Sequence, residues 1–187
     1  MRFVRRGFVL LISVSLLWAS LTEYTAARRK VDLIESESLR RGSRVSFTPR
    51  ELNAFAEHEA AEVAPGGLRD IRLQLGSSRG TASARVDFLK VKNAQGHASG
   101  WLLSKLLSGE RPVTVTARNV SAAGRARVDV ERVEISGAAI DGAALDFLIQ
   151  QYVMSYYPEA KVSQWFALAH RVDHLEVKPS GVDVVIK

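Results

Sequence analysis

Three stretches of this chain alternate apolar and polar residues with a period of two, and each returns through a glycine-containing turn. Leu68, Ile71, Leu73 and Leu75 lead into the turn 76–80, and Ala82, Ala84, Val86 and Phe88 come back from it on alternate positions. Val113, Val115 and Ala117 are answered across Gly124 by Ala126, Val128 and Val130. Val172, Leu175 and Val177 are answered across 179–181 by Val182, Val184 and Ile186. Side chains on a strand point alternately to opposite faces, so these pairs read as hairpins of an antiparallel sheet with one apolar face. The parity changes between Val130 and Val133, which a bulge or bend would produce.

Two helices complete the pattern. Thr48, Pro49 and Glu51 form a start signal, with the Thr side chain facing free amides and Glu three residues on closing a capping box. Leu52, Phe55, Ala56 and Ala60 then share a face until Pro65-Gly66-Gly67. A second helix starts at Asp141 and carries Leu145, Phe147, Leu148, Ile149, Tyr152, Met154 and Tyr156 up to Pro158. It is apolar over more than half its circumference, which predicts enclosure. The fold class expected is α+β: a curved antiparallel six-stranded sheet of three hairpins wrapped around this long apolar helix, with a second, N-terminal helix. A flat sheet with both helices on one face is the alternative.

Ahead of this domain, expected over residues 45–187, the chain divides in two. Residues 1–27 carry Arg2, Arg5 and Arg6, the apolar run Phe8 to Leu21, and small residues at Thr25 to Ala27, the layout of a secretory signal. An apolar run of 14 residues is short against the roughly 20 that span a bilayer comfortably. An anchor therefore needs extension through Tyr24, with Glu23 at the interface. Cleavage after Ala27 and retention as an anchor with the N-terminus inside both remain open, and either exports the rest of the chain. Residues 28–44 read as a basic polar stalk. The protein is thus expected at the periplasmic or outer face of a bacterial-type membrane, or secreted if the signal is removed.

Composition narrows the function. The 187 residues have no cysteine, which excludes disulfides, thiol nucleophiles and thiolate metal ligands. Net charge is +6, but residues 1–27 hold +2 and 28–50 hold +4, leaving 51–187 neutral. A nucleic-acid binder concentrates positive charge on its folded surface, so nucleic acid is set aside as a partner. Basic residues flanking an apolar segment suit anionic headgroups instead.

No constellation carries catalysis. His170, Asp173 and His174 would share one face only in a helix, whereas alternation at Val172 and Leu175 makes at least part of this segment strand. His58 sits among Glu57, Glu59 and Glu62 on a solvated helix face. The Gly76 to Gly80 loop joins two strands rather than a strand and a helix, so it reads as a turn and not a phosphate cradle. Asp87, Asp129, Glu131 and Glu134 alternate with core positions beside Arg85, Arg125, Arg127 and Arg132, the pattern of cross-strand ion pairs. Neither a metal nor a cofactor is expected. Trp101 to Leu107 forms a short amphipathic stretch that seals an end of the sheet or acts as a lid touching lipid.

The sequence from Phe47 to Asn53 carries Thr48-x-x-Glu51-Leu52-Asn53. The C-terminal region carries Trp165-Phe166-x-Leu168, Val172-x-x-Leu175-x-Val177 and Gly181-Val182-x-Val184-x-Ile186. In these features the chain resembles a broad group of bacterial exported or membrane-anchored domains, some similar to tubular lipid-binding (TULIP-like) proteins. It departs from them in having no proline at Ala169 or His170. The resemblance implies a curved sheet around a helix with a groove for acyl chains, and no catalytic residues.

The expectation is a non-catalytic envelope module that binds a lipid or other apolar ligand beside its membrane, with Phe88, Trp101, Leu102, Leu106, Phe147, Tyr152 and Tyr156 as ligand-contacting residues. A scaffold for another envelope protein is the second reading, and a hydrolase or transferase the third.

Overall fold

The structure is a computed structural model that describes the backbone of residues 4–94, 109–150 and 163–187, with side chains from residue 20 onward apart from 92–94. It is α+β, with four helices and nine strands among the described residues. Helix α1 runs over Val4–Glu35, strand β1 over Arg44–Phe47 and helix α2 over Pro49–Val63. Strands β2 (Leu68–Gly76) and β3 (Arg79–Asp87) form the first hairpin, after which comes helix α3 (Phe88–Ala94). Strands β4 (Glu110–Ala122) and β5 (Arg125–Ile135) form the second. Then come β6 (Ala138–Ile140), helix α4 (Gly142–Leu148), β7 (Phe166–Ala167), and the third hairpin of β8 (Val172–Lys178) and β9 (Gly181–Ile186).

The strands divide into two antiparallel sheets rather than one. The larger has six strands in the order β2-β3-β4-β5-β6, with β7 beside the start of β5, and it does not close. The third hairpin does not join it. It pairs instead with β1 in a three-stranded sheet of order β1-β9-β8, with Val45 opposite Val184 and Phe47 opposite Val182. The hairpin signals at 68–88, 113–135 and 172–186 are local and form as expected, except that the return strand of the first ends at Asp87 and Phe88 opens α3, where Asp87 Oδ1 accepts from Leu89 N and Lys90 N. Which hairpins share a sheet is a tertiary decision, and Val45 to Phe47 supplies the partner for the third.

Turn chemistry fixes the registers. Ala123 and Gly124 both have positive φ between the paired residues Ala122 and Arg125, as do Ser136 and Gly137 between Ile135 and Ala138. These two-residue turns match the right-handed twist of their strands. At Gly181 φ is +147°, and an added Cβ would run into the Phe47 carbonyl. The parity change in β5 is a bulge: Thr116 faces Arg132 and Ala117 faces Val130, so Glu131 is the extra residue. Val128, Val130, Val133 and Ile135 consequently share the face of Val115 and Val113.

Apolar side chains gather in two clusters. Ala27, Val45, Phe47, Val172, Val184 and Ile186 fill the space between the three-stranded sheet and the two long helices, helped by Val31, Ile34, Leu52 and Phe55. Ala64, Val86, Phe88 and Val91 form the second, with Ala84, Val113, Ile135 and Leu148 packed on it. Each Val, Leu, Ile or Phe side chain among them contributes at most about 1.5–3 kcal/mol, the range for full burial.

Residues 28–44, read as a stalk, belong largely to this packed body. Helix α1 continues unbroken to Glu35, Ala27 is 0% exposed, and Val31, Ile34 and Leu39 pack on the first cluster. Enclosure of the second helix is not what α4 displays. None of its residues from Gly142 to Leu148 is buried, and Phe147 is 39% exposed. The expected continuation through Tyr152 and Tyr156 lies outside the described residues, as does the Trp101 to Leu107 stretch. Among the residues whose side chains are described, from 20 onward, no helix is long and apolar enough to cross a membrane.

Candidate functional site

The six-stranded sheet has two chemically distinct faces. On one, cross-strand rows run Ala84–Val113–Ile135 and Leu73–Ala82–Val115–Val133–Ile140, with Ala117 opposite Val130 beyond them. The second cluster covers the Val86 end of this face. Toward the other end the covering thins, and Leu73, Leu75, Ala82, Val115, Ala117 and Val128 are only half-buried. There the face meets Val177 and Val182, a cross-strand pair of the third hairpin, around an open cleft of about 270 Å³. Its lining is almost wholly apolar. Gln74, Thr81, Arg118 and Asn119 are its polar residues.

The third hairpin is held at this cleft by its β8 edge. Val177 O accepts from Ser78 N at 2.9 Å and Asp173 O from Gly124 N at 2.7 Å. The Ser121 hydroxyl accepts from Leu175 N at 2.8 Å and donates to Leu175 O at 3.0 Å. Turns and hydroxyls of the large sheet thus satisfy groups that a bare strand edge would expose.

The opposite side of that seam is polar. A cleft of about 860 Å³ is lined by residues including Ser77, Ser78, Arg79, Arg118, His174 and Lys178. Its cations are paired. Arg79 and Arg118 both reach Glu131, at 2.6 and 3.0 Å. Arg44 and Lys178 share Glu176 and Asp183 at 2.6–3.0 Å. Glu131 and Glu176 are accordingly held below the ordinary carboxylate range, chiefly by hydrogen bonds from Arg79 and Arg44 respectively. A hydrogen bond with Asp173 at 2.6 Å raises the His174 pKa despite partial burial.

A nucleophilic site needs a hydroxyl or thiol against a base that a third group orients. His174 faces the carboxylates of Asp173 and Glu176. The Ser121 hydroxyl, one of three serines lining the cleft, is committed to the Leu175 backbone in both directions. His170 sits in the turn before β8 with φ +51° while His174 is on the strand, so the pair does not share a helix face. The side chains of His58, Glu59 and Glu62 bring ligand atoms within 4.8 Å of one another. That is one imidazole and two carboxylates on a solvated helix face, and the His58 ring is stacked on Tyr24 at 3.8 Å.

Of the residues singled out for ligand contact, two are described and they stand apart in environment. Phe88 is 6% exposed at the start of α3, inside the second cluster, where Asp87 Oδ1 accepts from Leu89 N and Lys90 N. Phe147 is exposed on α4. Trp101, Leu102, Leu106, Tyr152 and Tyr156 lie outside the described residues. Sequence reasoning missed the cleft residues Leu73, Leu75, Ala82, Val115, Val177 and Val182 as a site. Their alternation was visible, but small side chains on alternating strands look like core until the sheet partners are known.

The Thr48–Asn53 motif turns out to be structural. Thr48 Oγ1 accepts from Glu51 N at 3.2 Å and Glu51 Oε2 accepts from Thr48 N at 2.7 Å. The Asn53 side chain pairs with Leu73 on the open edge of β2, accepting from its N–H at 2.8 Å and donating to its carbonyl at 3.1 Å. No family model matches the chain, and neither the curated proteins nor the solved structures give a match.

Proposed function

We propose that this protein is a membrane-tethered, non-catalytic module of the cell envelope that holds an acyl chain against the apolar face of its six-stranded sheet. The observation that carries the reading is the half-covered cleft bounded by Leu73, Leu75, Val115, Val128, Val177 and Val182. At about 270 Å³ it is near the lower end of ligand pockets, roughly 300–1,000 Å³. It therefore suits a segment of an acyl chain whose remainder extends along the sheet. The half-buried pair Ala82 and Val115 continues the apolar surface from the cleft as far as Ala84 and Val113, where the second cluster covers the sheet. Binding rests on removing methylenes from water, about 0.8 kcal/mol each.

Tethering is argued from the sequence, where Arg2, Arg5 and Arg6 precede Phe8 to Leu21. Support for retention of that segment comes from Ala27 and Tyr24. Removal after Ala27 would take with it the side chain sealed in the first cluster and the ring stacked on His58 and Phe55.

The test is native mass spectrometry of the full chain released from nanodiscs. One bound fatty acid or phospholipid is expected. Ala82→Phe fills space for about two methylenes and should lower occupancy about tenfold, with a melting curve alongside to show that the fold persists. A wild-type chain that never carries lipid overturns the reading. Crosslinking to a single protein through Val115 or Val128 positions, without lipid, would put a partner's apolar segment on the same face.

A further inference from the structure

We infer that the end of the domain formed by the C-terminus of α2, the turn at 64–67, the start of α3 and α4 rests on the bilayer interface, with Val63 and Phe147 as apolar contacts. The inference rests on the reading of Phe8 to Leu21 as a retained membrane anchor. What it adds is the orientation of the domain.

Helices α1 and α2 run antiparallel, and three contacts fix their relative height. Lys30 meets Glu51, and six residues nearer the N-terminus Tyr24 meets Phe55 and His58. Moving toward the anchor on α1 is therefore moving toward the C-terminus on α2. From His58 to Val63 the helix advances about 7.5 Å, at roughly 1.5 Å per residue. The same distance from Tyr24 along α1 reaches the neighbourhood of residue 19, inside the apolar run. Because α1 is continuous from Val4 to Glu35, no hinge separates the anchor from this packing. The α2 C-terminus consequently stands at the height where α1 enters the bilayer.

Exposure at that end agrees. Leu21 is 59% exposed on α1 and Val63 is 39% exposed on α2. Phe147 adjoins Leu148, which packs on the same cluster as Ala64. Strand β2 starts there at Leu68 and travels away, past Leu73 at the level of Asn53. Its turn at Ser77 therefore lies about 30 Å from Leu68, at roughly 3.3 Å per residue. Charges of both signs stand near the same end, Glu59 and Glu62 on α2 and Lys90 beside Gly66, so the contact is carried by the apolar side chains and is insensitive to salt.

The absence of native cysteine allows a direct measurement on the full chain. Leu21→Cys, Val63→Cys, Phe147→Cys and Ser77→Cys would each carry one environment-sensitive dye in phosphatidylethanolamine–phosphatidylglycerol vesicles containing a nitroxide-labelled lipid. Quenching at positions 21, 63 and 147 is expected to exceed that at 77 by about twofold or more, unchanged in high salt. Quenching at 21 with 63 and 147 no different from 77 overturns the orientation and leaves the anchor standing. A chain with no quenching at 21 removes the anchor itself, and the orientation with it.

Discussion

Lys30 donates to both carboxylate oxygens of Glu51, at 2.6 and 2.7 Å, and to the Ser46 carbonyl at 2.6 Å. One ammonium group thus ties α1 to the first turn of α2 and to the open edge of β1. Glu51, only 5% exposed, is the buried charged residue among those described. Burial alone would push its carboxyl pKa upward. Lys30 and the Thr48 backbone more than offset this, and the net direction is downward. Glu51, which closes the capping box of α2, is thus also the residue that fixes α2 to α1.

Removing either partner should be costly. Glu51→Gln and Lys30→Met are each expected to lower stability by about 2 kcal/mol, the range for hydrogen bonds to charged groups. The double variant should lose less than the sum, because a buried carboxylate without its ammonium is worse than neither. Urea unfolding of the four proteins gives the coupling energy, and strict additivity would show that the contact carries nothing.

Asn53 is expected to act through β2 and not through its own helix. Asn53→Ala leaves the Leu73 N–H and carbonyl without their side-chain partner and should cost about 1–2 kcal/mol. Hydrogen exchange then distinguishes the mechanism: protection should fall at Leu73 while the amides of α2 keep theirs. Equal loss along α2 would contradict the edge role.

The charge patch around β8 sets a pH dependence with two flanks. Asp183, hydrogen-bonded first by Ser46 and then by Lys178 and Arg44, has its pKa lowered to about 2, and Glu176 is lowered further. Groups depressed in the folded state stabilise above their unfolded values, near 4, and that contribution fades as pH falls toward 2. His174 is raised, chiefly by Asp173. Its contribution is complete below about 6.5 and fades as pH rises through the raised value. Stability from this patch should therefore peak between about pH 4 and 6.5. His174→Gln is expected to flatten only the alkaline flank of a urea midpoint measured against pH, and high salt should shrink both flanks because the groups are exposed.

Local physics made much of this chain legible in advance. The capping box at Thr48 and Glu51, the hairpins at 68–87, 113–135 and 172–186, and the bulge between Val130 and Val133 depend on neighbours in sequence. Side-chain spacing and turn residues are enough to specify them. The neutral charge of 51–187 and the lack of cysteine were likewise fixed by composition. Tertiary structure alone decided the rest. A period of two identifies a strand's apolar face but not its neighbour, so pairing of the third hairpin with Val45 to Phe47 could not be read beforehand. Basic residues at 28–30 suggested a solvated stalk, yet Lys30 reaches a carboxylate 21 positions away and Ala27 is sealed by strands from the other end of the chain. The cleft exists because β8 docks by its edge on Ser78, Ser121 and Gly124. Long-range contacts of that kind leave no periodic trace, since apart from the Ser121 hydroxyl the bonding groups are backbone amides and carbonyls that nearly every residue type supplies.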